Sequence, residues 1–492
     1  MGGMQGYWLS RFVFQRGLGL VYLIAFIVAL NQFRPLLGER GLLPVASYVK
    51  QVTFREAPSL FHFCPKNGAF TAAAWLGIVF AFLAVTGIPD RYATWFSMLV
   101  WGMLWILYLS FVNVGQTFYA FGWESILLEA GFFTIFLGSG NVAPQRIMIW
   151  ILRWILFRVM FGAGLIKLRG DPCWRDMSCL DYHYETQPMP NPLSWYFHWA
   201  PAWTHRAGVW FNHFVELIVP FGYLAPQPVS SIAGLFTIVF QGFIMLSGNL
   251  SWLNFLTMVL AIPTLDDRLF AALIPIRPQA LDAPGTIQKM ATLAIAIMVA
   301  VLSISPIRNM LSKRQMMNFR YNPLHLVGTY GAFGGITRTR YEVVVEGTDE
   351  FILSPSTKWR EYEFEGKPGD PGRRSPQIAP YHLRLDWLMW FAAMSEYYHH
   401  PWFLNFMAKL LQADADTLSL LRANPFPNQP PRYIRAQLYE YHFTTPEERK
   451  QTGQWWKRQL TGSYFPAVSL QTPAFRNLLE QLSFGEARNT TE

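Results

Sequence analysis

The chain has 492 residues, 52% of them hydrophobic and 16% aromatic, with a net charge of +9 and only 14% charged side chains. Soluble chains are nearer a quarter charged, and the deficit is uneven: 31 of the 71 charges fall in residues 1–303 and 40 in residues 304–492. That pattern excludes a single soluble globule, a disordered chain and a small disulfide scaffold. It implies a polytopic α-helical membrane bundle over residues 1–304, followed by a small α+β extramembrane domain over 305–492.

No Asp, Glu, Lys or Arg occurs between Arg91 and Glu124, or between Glu216 and Asp266. A helix needs about 20 apolar residues to cross the hydrocarbon, so the second gap holds two spans around the break from Ala225 to Pro228. In chain order, spans are expected near 15–32, 70–88, 93–112, 120–138, 147–168, 208–224, 230–247, 250–264 and 287–304, a total of eight or nine. Window 120–138 is weakened by its carboxylates and 250–264 by its length. The first apolar run follows Arg11 and Arg16. It is too long for a cleavable signal peptide and has no clear small-residue cleavage site.

Orientation is not settled by charge. Arg11 and Arg16 favour a cytoplasmic N-terminus, and nine spans would then export the C-terminal domain. Arg308, Lys313, Arg314 and Arg320, just after the last span, argue the other way by the positive-inside rule. Such basic clusters suit phospholipid headgroups. No nucleic-acid-binding motif accompanies them, so no nucleic-acid partner is expected.

Beyond Met310 the texture changes. Residues 340–346 and 359–365 alternate and end at Gly347 and Gly366, as strands do, and 433–443 is a third strand candidate. Windows 384–398, 402–411 and 414–422 read as helices, the second starting at Pro401. Trp387, Trp390 and Trp402 make this region unusually aromatic. They suit a core packed on the membrane domain or resting at headgroup level; alternatively they form a recognition surface.

Soluble catalytic motifs are absent, which leaves polar residues at membrane depth as candidates. Glu124 and Glu129 are about 140° apart around a helix, so each is expected to meet its own basic partner. The next span offers Arg153, Arg158 and Lys167. Gly162 and Gly164 would let a neighbouring helix come close. Lys167, at the end of that span, is expected to snorkel to the interface; a desolvated lysine there could act as a base. Asn212, His213 and Glu216 share a helix face. The loop 169–207 adds acids and imidazoles in no metal-binding spacing, so no metal is expected. Cys173 and Cys179 are close enough for a short-loop disulfide if the loop faces an oxidising compartment, and Cys64 is left over.

The stretch Arg169–Tyr196 (RGDPCWRDMSCLDYHYETQPMPNPLSWY) closely resembles the lipase maturation factor family. So do Gly38–Pro44 (GERGLLP), Gly334–Gly347 (GGITRTRYEVVVEG), Ile378–Ala393 (IAPYHLRLDWLMWFAA) and Asn424–Tyr433 (NPFPNQPPRY). The resemblance implies a multipass membrane protein that helps secreted lipases, or another exported client, reach an active state through a domain facing the lumen. It implies no cofactor. The membrane would be the endoplasmic reticulum in a eukaryotic cell or the inner membrane in a bacterium. On this reading Trp387, Trp390, Trp402, Arg338 and Arg340 are the candidate client contacts. A more distant likeness joins Gly122–Glu129 and Ala163–Leu168 to the membrane half of vitamin K-dependent gamma-carboxylase, where a lysine is the base. It implies an alternative, an intramembrane enzyme using Lys167, Glu124, Glu129, His213 and Glu216.

Overall fold

A computed structural model describes residues 6–272, 274, 276 and 281–488. The membrane part is built from α1 (Trp8–Leu37), α2 (Asn67–Thr86), α3 (Thr94–Val114), α4 (Gly122–Thr134) and α5 (Arg146–Arg169). It continues with α6 (Ala202–His213 and Val219–Tyr223, joined by a π-helical turn over Phe214–Ile218), α7 (Val229–Ser247), α8 (Leu253–Ala261) and α9 (Thr286–Leu311). Among the described residues, α1, α2, α3, α5, α7 and α9 are long and apolar enough to cross a membrane. The protein is therefore a multipass membrane protein.

The three remaining windows are helical but shorter or interrupted. The 13 residues of α4 rise only about 20 Å, against a hydrocarbon layer of about 30 Å. Its carboxylates and flanking loops are tolerated because the helix is enclosed by protein on nearly all sides. The π turn in α6 precedes Pro220, which has no N–H to continue the helical ladder.

Helix ends gather on two opposite faces. On one, Trp8 donates from its backbone to Asp267 (2.8 Å) and from its indole to Gly140 O (2.7 Å), and Arg16 pairs with Asp90. On the other, Gln32 near the end of α1 donates to His382 O (2.7 Å) and accepts from Arg384 N (2.9 Å). The N-terminus and the C-terminal region thus lie on opposite faces.

The C-terminal region holds an antiparallel sheet of order β2-β1-β5-β6, with β1 at Arg340–Thr348, β2 at Arg360–Glu361, β5 at Tyr433–Phe443 and β6 at Trp456–Val468. A small pair, β3 (Glu363–Phe364) and β4 (Leu421–Ala423), lies beside it. Arg340 faces Tyr441 and Thr348 faces Tyr433 at the ends of the β1–β5 ladder. Strand β1 is covered on both sides: Val343 and Val345 join the main core, and Val344 joins a cluster with Trp195, Tyr441 and Trp456. Helices α10 (Arg384–Ala392) and α11 (Pro401–Leu411) sit between sheet and bundle, and α12 (Pro473–Arg488) follows the last strand. Two details depart from expectation. The window 359–365 splits into β2 and β3, because Arg360 and Glu361 pair with β1, Tyr362 N still bonding Val345 O, while Glu363 and Phe364 pair with β4. The window 414–422 holds one helical turn, Ala415–Leu418, before β4.

Candidate functional site

Lys167 lies in the last turn of α5, where Gly164 sets the distance to α6. A Cβ on Gly164 would lie 2.9 Å from the Glu216 Cβ and 2.8 Å from Leu217 Cδ2, so glycine is what allows this approach. Lys167 Nζ donates to Asn212 Oδ1 and Glu216 Oε1, both at 2.7 Å, and Asn212 Nδ2 donates to Glu216 Oε2 at 3.2 Å. The ammonium lies 4.8 Å from the centre of the Trp174 ring. Lys167 is only 4% exposed. The expected snorkelling is therefore corrected: a carboxylate and an amide one helix away satisfy the charge inside the protein, and the side chain has no reason to reach for water.

Trp174 is fixed by its surroundings. Cys173 and Cys179 are bonded, with Cα atoms 4.7 Å apart, and Cys64 is an exposed free thiol. The Trp174 indole donates to Phe333 O (2.8 Å), and His213 Nε2 donates to Trp174 O (2.8 Å). Asp171 accepts from Cys173 N, Ile336 N and the Arg338 guanidinium (2.7 Å). That guanidinium pulls the Asp171 carboxyl down to about 2.

Lys167, Asn212 and Glu216 stand in the wall of a cavity of about 860 Å³, enclosed by α4 to α8, the 169–207 loop, residues 317–335 and α10. His183 shares this wall, and enclosure and the nearby Lys167 charge push its imidazole down to about 4.

The other intramembrane candidates lie in separate nests. Glu129 receives two bonds from Arg158 and one from the Tyr330 hydroxyl (2.5 Å). Glu124 accepts from Tyr108 and from Arg384 Nη1 (2.8 Å). Arg153 meets no carboxylate among the described residues. It donates to Pro263 O (2.9 Å) and Tyr223 O (3.2 Å), at helix C-termini where cations are favourable, and to the Tyr7 hydroxyl (2.9 Å). The five residues of the enzyme alternative thus do not converge: Lys167 and Glu216 touch, His213 buttresses Trp174, and Glu124 and Glu129 are each held by an arginine.

Both halves of this arrangement have counterparts in known proteins. Residues 9–272 match the family model described as Lipase maturation factor transmembrane domain, and residues 326–466 match Lipase maturation factor C-terminal domain. The chain belongs to the lipase maturation factor family. It is 43% identical to Lipase maturation factor 1 of Homo sapiens over 517 residues, covering 96% of this chain and 90% of that protein. Identity to Lipase maturation factor 1 of Mus musculus is 42%, covering 94% and 88%. For Lipase maturation factor 2 of Homo sapiens it is 28%, covering 98% and 86%. No solved structure matches the chain.

In this lipase maturation factor the cavity draws on both matched regions, Lys167 from the first and Trp387 from the second. That placement buries three of the five expected client contacts, Trp387, Trp402 and Arg340. Trp387 and Trp402 are 3% and 2% exposed. Trp387 packs 5.0 Å from Trp123, and Trp402 lies 6.1 Å from Phe118. Half-buried Trp390 donates to Thr186 O (3.1 Å). Arg340 is buried against Glu342 and donates to the carbonyls of Glu185, Gln187 and Pro188. Arg338 remains partly exposed, although it is spent on Asp171. The physical reason is that the apolar face of α10 is consumed in roofing the bundle. Beyond β1, the most exposed large apolar side chains among the described residues, ahead of Tyr398 and Leu460, are Phe351 and Ile352, in the loop that follows it, at 74% and 81% exposure. Their short apolar run between Asp349 and Lys358 was a readable signal that periodicity reasoning passed over. Arg384, the partner of Glu124, lies 260 residues away and gave no local signal.

Proposed function

We propose that the chain is a maturation factor that acts by contact, without making or breaking a bond, on secreted lipases or similar exported clients. The observation that carries this reading is the similarity to lipase maturation factors over nearly the whole length of both chains. We divide the chain at 304/305 into a membrane part and a client-facing part. The 169–207 loop and the C-terminal domain share one face, joined through Arg340 and the Trp195 and Trp199 indoles, which donate to Thr444 O. That face carries the Cys173–Cys179 bond, and disulfides persist in oxidising compartments. We therefore place it on the exported side, with the N-terminus in the cytoplasm and the chain in the endoplasmic reticulum membrane. A bacterial inner membrane, also considered from the sequence, finds no support among the relatives, which are animal proteins. The surface offered to the client is the exposed Phe351–Ile352 loop.

The test is to co-produce a secreted dimeric lipase with the chain in cells lacking any such factor. Secreted lipase activity per unit of lipase protein should rise several-fold, and Phe351→Ser with Ile352→Ser should remove most of that rise. An unchanged ratio with the chain present and correctly inserted would refute the reading.

A further inference from the structure

Protein interiors hold few voids larger than a water molecule. A cavity of about 860 Å³ is instead the size of a small-molecule site, roughly 300–1,000 Å³. Its walls are largely apolar, with Phe211 on α6, Phe240 and Ile244 on α7, and Trp387 on α10. The polar groups are few and placed at particular points. Lys167 has three N–H donors and spends two on Asn212 and Glu216. The half-buried His183 ring makes no hydrogen bond among the described residues, and the buried indole nitrogen of Trp387 has no partner there. An unpaired buried donor is costly, and Lys167, His183 and Trp387 line the same space.

The margin of the cavity says where a ligand comes from. Ala207 on α6 and Phe243 on α7 line it and are exposed, and both helices belong to the membrane bundle. The charge says what its head is. Glu216 already matches Lys167, and His183 is held neutral. A second carboxylate or phosphate would therefore be buried there without a counter-ion, which is expensive.

We infer that the cavity binds one neutral single-chain amphiphile drawn from the bilayer, its oxygen-bearing head against Lys167 and His183 and its chain along Phe211, Phe240 and Ile244. Lys167 gives its third N–H to a head oxygen, His183 accepts from or donates to a hydroxyl, and the Trp387 indole supplies a further donor. The margin between Ala207 and Phe243 admits the chain.

Equilibrium binding of radiolabelled 1-monooleoylglycerol to the full-length protein in lipid nanodiscs, with no client present, tests this. Uptake should saturate at one molecule per chain and be displaced by unlabelled monooleoylglycerol but not by equimolar oleate. Ala207→Trp at the margin and His183→Phe at the head should each weaken binding at least tenfold without moving the thermal midpoint. Non-saturable uptake by the unaltered protein would overturn the inference, as would preference for oleate or full affinity in both variants. Should a variant fail to fold, the wild-type saturation and competition arms decide alone.

Discussion

Arg158 and Glu129 form a buried pair whose loss should be severe. Removing one partner leaves a charge without compensation, at a cost of about 3–5 kcal/mol. Arg158→Met is expected to lower the thermal midpoint sharply, and Arg158→Met with Glu129→Leu to recover part of the loss; a mild effect of the single change would count against the pairing. His442 behaves differently because it is half-exposed. It lies 3.0 Å from Glu185 and 2.7 Å from Glu440, which raise its imidazole to about 9, while neighbouring His198 is pushed down by burial. A histidine raised in the folded state stabilises fully below its unfolded value, about 6.5, and loses that contribution as pH rises through about 9. His442→Gln should therefore lower the thermal midpoint at pH 6 and leave it unchanged at pH 10. Equal losses at both values would contradict the assignment. At this scale the sequence was only partly legible. That Glu129 needs a base from the next span could be read from helical geometry. That Glu124 takes Arg384 from the other domain could not, since nothing local encodes a contact across 260 residues.

Among elements, the closest approach is between α5 and α6 at Gly164. Gly164→Val would drive Cβ atoms into Glu216 and Leu217, and overpacking of this kind costs about 1–3 kcal/mol. The variant should unfold earlier, and a midpoint equal to wild type would show that α6 is not held there. The Cys173–Cys179 ring is small, so its loop-entropy contribution is about 2–3 kcal/mol, and its role is to hold Trp174 beside Lys167. Peptide mapping without reductant should recover residues 173 and 179 as one bridged peptide; two alkylatable thiols would remove the bridge. The apolar windows 15–32 and 230–247 were legible because span length and lack of charge are local properties. Strand 433–443 was legible for its alternation. Strand β6 was missed because Trp456–Val468 mixes exposed Lys457, Gln459 and Leu460 with buried Tyr464 and Phe465, and bulges against β5 break its period.

For the whole molecule, what matters is which side of the membrane each face occupies. Length and composition suggest the division into bundle and domain, but the conflicting arginines at the two ends leave the orientation open. The fold relates the parts: the N-terminus lies on one face, and the disulfide loop, the cavity head and the sheet domain lie on the other. Cys64 belongs to that second face, in the connection from α1 to α2, and it is exposed and unpaired. In sealed vesicles of known orientation, a membrane-impermeant maleimide should label Cys64 only when the exported face is outward, or after permeabilisation when it is inward. Labelling of Cys64 from the cytoplasmic face of intact vesicles would contradict it, and would put the domain on the wrong side of the membrane to meet an exported client.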